Sequence, residues 1–112
     1  MASIEVGNRP LIHIVIPHYR SPEFLERLLA SIDKAYDRAR DLSECKVWVV
    51  NDSPEVSLEA LKKKAFAFET AWIVLDQNSG VAKARNAPLD QIHSGFITWI
   101  DQDDTLNANY FI

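Results

Sequence analysis

A chain of 112 residues has room for one domain and not for two. Its composition, 47% hydrophobic and 25% charged, excludes a disordered, collagen-like or coiled-coil protein. With 12 basic against 16 acidic residues the net charge is -4, which argues against duplex nucleic acid as a partner.

Met1 to Pro10 has neither the basic start nor the apolar core of a targeting peptide and reads as a loose tail, residues 1–10, ahead of a domain over 11–112. Leu11 to Pro17 is a β-branched run and predicts strand one. Ser21-Pro22-Glu23 marks a helix start, with serine as cap, proline in the first turn and glutamate at the positive dipole end. Leu25, Leu28, Leu29, Ile32 and Tyr36 then recur at helical spacing. Cys45 to Val50 is apolar at nearly every position, as in a strand covered on both faces. Ser53-Pro54-Glu55 repeats the helix-start pattern, and Leu58, Leu61, Ala65 and Phe68 continue it. Ala71 to Leu75 predicts strand three. Gly80 to His93 predicts a third helix that Pro88 kinks or splits. Phe96 to Ile100 predicts strand four, and Thr105 to Ile112 the start of another helix. No apolar run approaches a membrane span. The single cysteine, Cys45, excludes a disulfide framework within the chain, so the cytoplasm is the expected location.

The order βαβαβαβ predicts a Rossmann-like α/β layer of parallel strands. In such sheets ligands bind beyond the carboxyl ends of the strands, where strand order reverses. The residues just after each strand therefore carry the functional reading.

Asp101-Gln102-Asp103-Asp104 follows strand four. Its clustered carboxylates repel one another unless solvent or a cation neutralises them, and hard oxygen ligands suit Mg²⁺ or Mn²⁺. The plainer reading is an exposed acidic turn in which Asp104 caps a helix. Asp52 ends strand two, where a carboxylate can cap the next helix or accept the N–H of a pyrimidine base. Tyr19 ends strand one and can stack on a base or pack at the sheet edge. Asn78-Ser79-Gly80 opens the third helix, with Lys83 and Arg85 following. That arrangement favours an anionic group, or is an ordinary solvated face. His13 reads as a core histidine, Trp48, Trp72 and Trp99 as core, and Cys45 as a small buried apolar residue.

Four stretches together resemble the family 2 glycosyltransferases of the GT-A fold: IVIPHYR (14–20), VWVVNDS (47–53), NSGVAKARN (78–86) and GFITWIDQDD (95–104). The resemblance implies a three-layer sandwich with a four-stranded parallel sheet in the order 3-2-1-4, a truncated GT-A fold. It places Pro17 and Tyr19 against the nucleotide base and makes Asp52 the acid that binds that base. It sets Arg85, with Lys83 nearby, along the donor pocket. Asp101 and Asp103 become the Asp-x-Asp motif, the second acid ligating Mn²⁺ or Mg²⁺ and the first lying near the ribose and the metal. The implied reaction is inverting transfer from a UDP-, dTDP- or GDP-sugar to an acceptor hydroxyl.

The chain departs from the family pattern at Asn51, where an Asp is usual, at Ser53-Pro54, which replaces Gly-Ser, and at Pro88, where glycine is common. The family's acceptor-binding elements and catalytic base follow the Asp-x-Asp, so the expectation is a donor-binding half with no catalytic base of its own. It would self-associate through the edge of strand four. The alternative is a non-catalytic nucleotide-binding or assembly module. A phosphoacceptor signalling domain ranks last, because strand one ends in Pro17-His18-Tyr19 rather than an acidic pair.

Overall fold

The structure is a computed structural model and describes residues 9–105, 110 and 111. Its four strands are β1 (Leu11–His18), β2 (Glu44–Asn51), β3 (Glu69–Val74) and β4 (Phe96–Trp99). All pair in parallel, in the order β3-β2-β1-β4. The expected order 3-2-1-4 is therefore observed. Helix α1 (Pro22–Asp37) follows β1, α2 (Glu59–Lys62) follows β2, and α3 (Val81–Asn86) follows β3.

Both faces of the sheet are covered. Ile14 and Ile16 of β1 and Val47 and Val49 of β2 pack against Leu25, Leu28, Leu29 and Ile32 of α1, with Leu58 and Leu61 beside them. The alternate residues Val15, Trp48 and Val50 face Ala84 of α3, with Ala87, Ile92 and Ile97 around them. Alternation along each strand thus sends successive side chains into two separate cores. Removing a fully buried leucine of α1, such as Leu28, would cost about 2–5 kcal/mol.

The helices depart from the sequence pattern in instructive ways. Ser21 precedes α1 as expected but makes no side-chain capping bond, Pro22 supplying the helical start. The second helix does not begin at Pro54. It is a single turn, and Ser53 bonds Asn51 and the Arg20 N–H just after β1 instead of capping it. Pro88 splits the third helix as expected, leaving α3 and a separate 3-10 turn over Leu89–Gln91. Residues 1–8 of the expected tail, and 106–109 and 112 of the expected last helix, lie outside the described residues. Pro10 already belongs to the fold, its carbonyl accepting the Glu44 N–H at 2.8 Å. Among the described residues no helix is long and apolar enough to cross a membrane.

Candidate functional site

Pro17 sits in a central strand, a position that normally rejects proline for want of an N–H. The register explains it. Val15 is the last β1 residue paired with β4, its carbonyl accepting the Ile100 N–H at 3.1 Å. Backbone groups of alternate residues point to the same neighbour, so Pro17 falls where β1 would next offer a donor to β4. The ladder lapses there and the two strands part. On the other side β1 stays paired with β2, the His18 carbonyl accepting the Asp52 N–H at 2.8 Å.

The opening is a cleft of about 430 Å³ at the carboxyl ends of β1, β2 and β4. Pro17, His18 and Tyr19 line it from β1, Asp52 from β2, and Asn78 and Gly80 from the loop before α3. Asp101, Gln102 and Asp103 line it from the turn after β4. Seven of the expected site residues thus meet in one crevice: Pro17, Tyr19, Asp52, Asn78, Gly80, Asp101 and Asp103. Lys83 and Arg85 do not line it. Both are exposed on α3, and Arg85 is turned to Asp101, its Nη2 lying 3.2 Å from Oδ1. The Arg85 carbonyl accepts the Trp99 indole N–H at 3.0 Å, which leaves Trp99 42% exposed rather than in the core.

Asp52 is 3% exposed, and its role differs from helix capping after β2. Its Oδ1 accepts the Ser79 N–H at 2.6 Å and its Oδ2 the Gly80 N–H at 2.9 Å. The carboxylate therefore pins the Asn78–Gly80 loop against the cleft. Each oxygen keeps a second lone pair, so a donor arriving from the cleft can still be accepted.

Beneath Tyr19 lies a buried polar network. Ser21 donates its N–H to His18 Nε2 at 3.1 Å, which leaves the ring proton on Nδ1 to be donated to Asn51 Oδ1 at 3.0 Å. Ser53 donates to the same oxygen and accepts the Arg20 N–H, while Asn51 Nδ2 donates to the Val56 carbonyl at 3.0 Å. An aspartate at 51 could not make that last bond, which gives the departure at Asn51 a physical reason. Arg20 is the one non-glycine residue with positive φ among those described, at 51°. The Ser53 hydroxyl and an ion pair with Glu55 at 2.7 Å hold it there. This kink turns the chain out of the sheet and leaves the Tyr19 ring 45% exposed at the cleft rim.

Burial lowers the His18 pKa below its ordinary 6.5, opposed by its bond to Asn51 and by Glu23. A second ring proton would also meet the Ser21 N–H head on. The neutral ring's contribution to stability is fully present above 6.5 and is lost as pH falls through that value toward the folded one. Thermal unfolding should accordingly move to lower temperature on acidification through this window. The slope should be shallower in His18→Gln; an equal slope in both proteins would refute it. Cys45, by contrast, is inert: burial pushes its thiol up to about 12. His13 is a core histidine as read, accepting the Trp48 indole N–H at 3.0 Å and bonding the Ser94 carbonyl at 2.9 Å.

The turn after β4 presents Asp101, Asp103 and Asp104 with one carboxylate oxygen each within 4.8 Å of the others, all exposed. Exposed carboxylate oxygens are the hard donor type that Mg²⁺ or Mn²⁺ takes. The residue that sequence reasoning passed over is Gln102. Its Oε1 accepts the Tyr19 N–H at 2.6 Å and its Nε2 donates to the Tyr19 carbonyl at 3.0 Å.

Known proteins are similar to this chain in sequence and in fold. The teichoic acid poly(glycerol phosphate) polymerase of Staphylococcus epidermidis is 32% identical over 88% of this chain and 13% of that protein. The poly(ribitol-phosphate) beta-N-acetylglucosaminyltransferase TarS of Staphylococcus aureus is 30% identical over 84% of the chain and 16% of its own length. The crystal structure of S. aureus TarS 1-349 in complex with UDP superposes with a TM-score of 0.71 at 29% identity, covering 87% of this chain and 28% of that one. Its complex with UDP-GlcNAc gives 0.70 at 28% identity, with the same 87% and 28% coverage. The chain thus spans between 13% and 28% of the length of the curated relatives it matches. The sequence model of Glycosyl transferase family 2 matches residues 13–111, nearly everything from β1 onward. With that match, the 3-2-1-4 sheet and the cleft at its switch point, the chain belongs to glycosyl transferase family 2.

Proposed function

We propose that this chain is the nucleotide-sugar-binding part of an inverting glycosyltransferase that uses a divalent metal. The observation that carries the reading is the single cleft that brings Tyr19, Asp52, Asp101 and Asp103 together from β1, β2 and β4. Tyr19 offers a flat aromatic face to a base at the rim. Asp52 offers its remaining lone pairs to a base N–H, and its grip on Ser79 and Gly80 holds the cleft wall in place. Asp101 is oriented by Arg85, and Asp103 faces the cleft free of that pair. Asp103 and its neighbours would hold Mg²⁺ or Mn²⁺, which would neutralise the departing diphosphate as a Lewis acid. UDP is the favoured nucleotide, because TarS, at 28–29% identity, is solved with UDP and with UDP-GlcNAc; dTDP and GDP are the competing donors. We assign no catalytic base among the described residues and place acceptor chemistry in other sequence. A cytoplasmic setting belongs to the same proposal.

Thermal melts with UDP, GDP and dTDP, each with and without Mn²⁺, test this. A ligand that binds only the native state stabilises it by about 2.7 kcal/mol at a hundredfold excess over its Kd. UDP with Mn²⁺ should raise the midpoint most, and Asp103→Ala should remove the metal-dependent part. No rise with any nucleotide would sink the donor-binding reading and leave the assembly module ahead.

The same proposal includes self-association. Among the described residues β4 is an edge of the sheet, and it leaves Phe96 68% exposed on one face and Trp99 exposed on the other. An unpaired apolar edge recruits another chain. Light scattering should show mass rising with concentration, and a strict monomer at high concentration would refute this.

A further inference from the structure

The β1–β4 ladder lapses at Pro17, yet the two chains are tied together again beyond it. Tyr19 shares the parity of Val15 and Pro17, so its N–H and carbonyl both point toward the β4 side. No backbone from β4 meets them there. Gln102 meets them instead, with Oε1 at 2.6 Å from the N–H and Nε2 at 3.0 Å from the carbonyl. One side-chain amide thus stands in for the donor and acceptor that a parallel strand would present.

We propose that Gln102 is a positioning residue, a clasp that holds the Tyr19 end of β1 at fixed distance from the acidic turn and so presets the cleft for a nucleotide. The proposal rests on the nucleotide reading above and adds to it the element that sets its spacing. The geometry favours glutamine specifically. Asparagine is one methylene too short to span the gap, and glutamate lacks the donor that the Tyr19 carbonyl requires. Asp101 and Asp103 flank Gln102 in sequence, so the clasp fixes the turn that carries them and the tyrosine in a single contact. Without it, Tyr19 is held on the sheet only from the β2 side, through His18 and the Arg20–Ser53 bond. Ordering that segment would then fall on the bound nucleotide, which weakens affinity while Tyr19, Asp52, Asp101 and Asp103 are themselves unaltered.

The test combines amide exchange with UDP titration in Mn²⁺, on the unaltered protein, Gln102→Ala and Gln102→Glu. Protection of the Tyr19 amide should fall about tenfold in Gln102→Ala while amides of Ile14 and Ile16 keep theirs, and UDP affinity should fall by about the same factor. Gln102→Glu keeps the acceptor for the Tyr19 N–H but not the donor for the Tyr19 carbonyl, so Tyr19 protection should fall less than in Gln102→Ala while UDP affinity still falls. General loosening of the fold would instead lower the protection of Ile14 and Ile16 along with that of Tyr19. Unchanged UDP affinity in Gln102→Ala, or protection lost at Ile14 and Ile16 as much as at Tyr19, overturns the proposal. Should the unaltered protein bind no UDP, the nucleotide reading falls and the Tyr19 amide alone judges the clasp: protection retained in Gln102→Ala overturns it.

Discussion

The Gly95→Ala variant is expected to lose about 2–5 kcal/mol of stability, more than the same change at Gly80. Two costs add. Gly95 has φ of +93°, a region that side chains other than glycine's rarely adopt. A Cβ there would also lie 2.4 Å from the Leu11 carbonyl oxygen, a backbone atom that cannot swing aside. Relief would require β1 and β4 to separate at the end where His13 also bonds the Ser94 carbonyl. Gly80→Ala is the matched control. Its φ is +92°, but nothing lies within 4 Å of the added carbon, so it bears the conformational cost alone, about 1–3 kcal/mol. Urea unfolding of the two variants separates the terms. Equal losses would show that the contact with Leu11 is relaxed at no cost, and the steric half of the expectation would be wrong.

Asp52→Ala should cost less in stability, about 1.5–3 kcal/mol, and more in binding. The two backbone N–H groups of Ser79 and Gly80 lose a charged acceptor that holds both at once. Water can reach the exposed Gly80 and partly compensate. The cleft wall then comes free, and UDP affinity should fall at least about tenfold in calorimetry. Asp52→Asn keeps one acceptor and turns an NH₂ group toward the other N–H, so it should sit between alanine and the unaltered protein. A retained UDP affinity in Asp52→Ala would remove this residue from the site while leaving the fold description intact.

The expectations drawn from Asp52 illustrate what residue type can and cannot disclose. Asp52, a carboxylate just after a buried strand, lies in the lining of the cleft. Its partners lie 27 and 28 residues further on, in a loop whose approach depends on where β3 pairs. Lys83 and Arg85 show the reverse case. They follow the glycine turn in sequence, but α3 is one short helix packed through Ala84, and its basic side chains leave the cleft lining. Gln102 went unnoticed because an amide between acids has no chemistry of its own until a strand end with an unused N–H and carbonyl is set beside it.

Strand positions, the burial of both sheet faces and the residues at each carboxyl end follow from local pattern. Period, β-branching and apolar content act within a few residues and need no knowledge of the partner. The resemblance to a known family supplied the strand order, and the pairing of β1 with both β2 and β4 agrees with it. Tertiary structure alone decided the rest. Proline was tolerated in β1 because β4 diverges there, no helix starts at Pro54 while Ser53 is held by Asn51 and the Arg20 N–H, and Asn51 outdid an acid because Val56 needed a donor. Each of these outcomes is set by hydrogen-bond groups that meet across the sheet, and a linear pattern holds no record of which groups will meet.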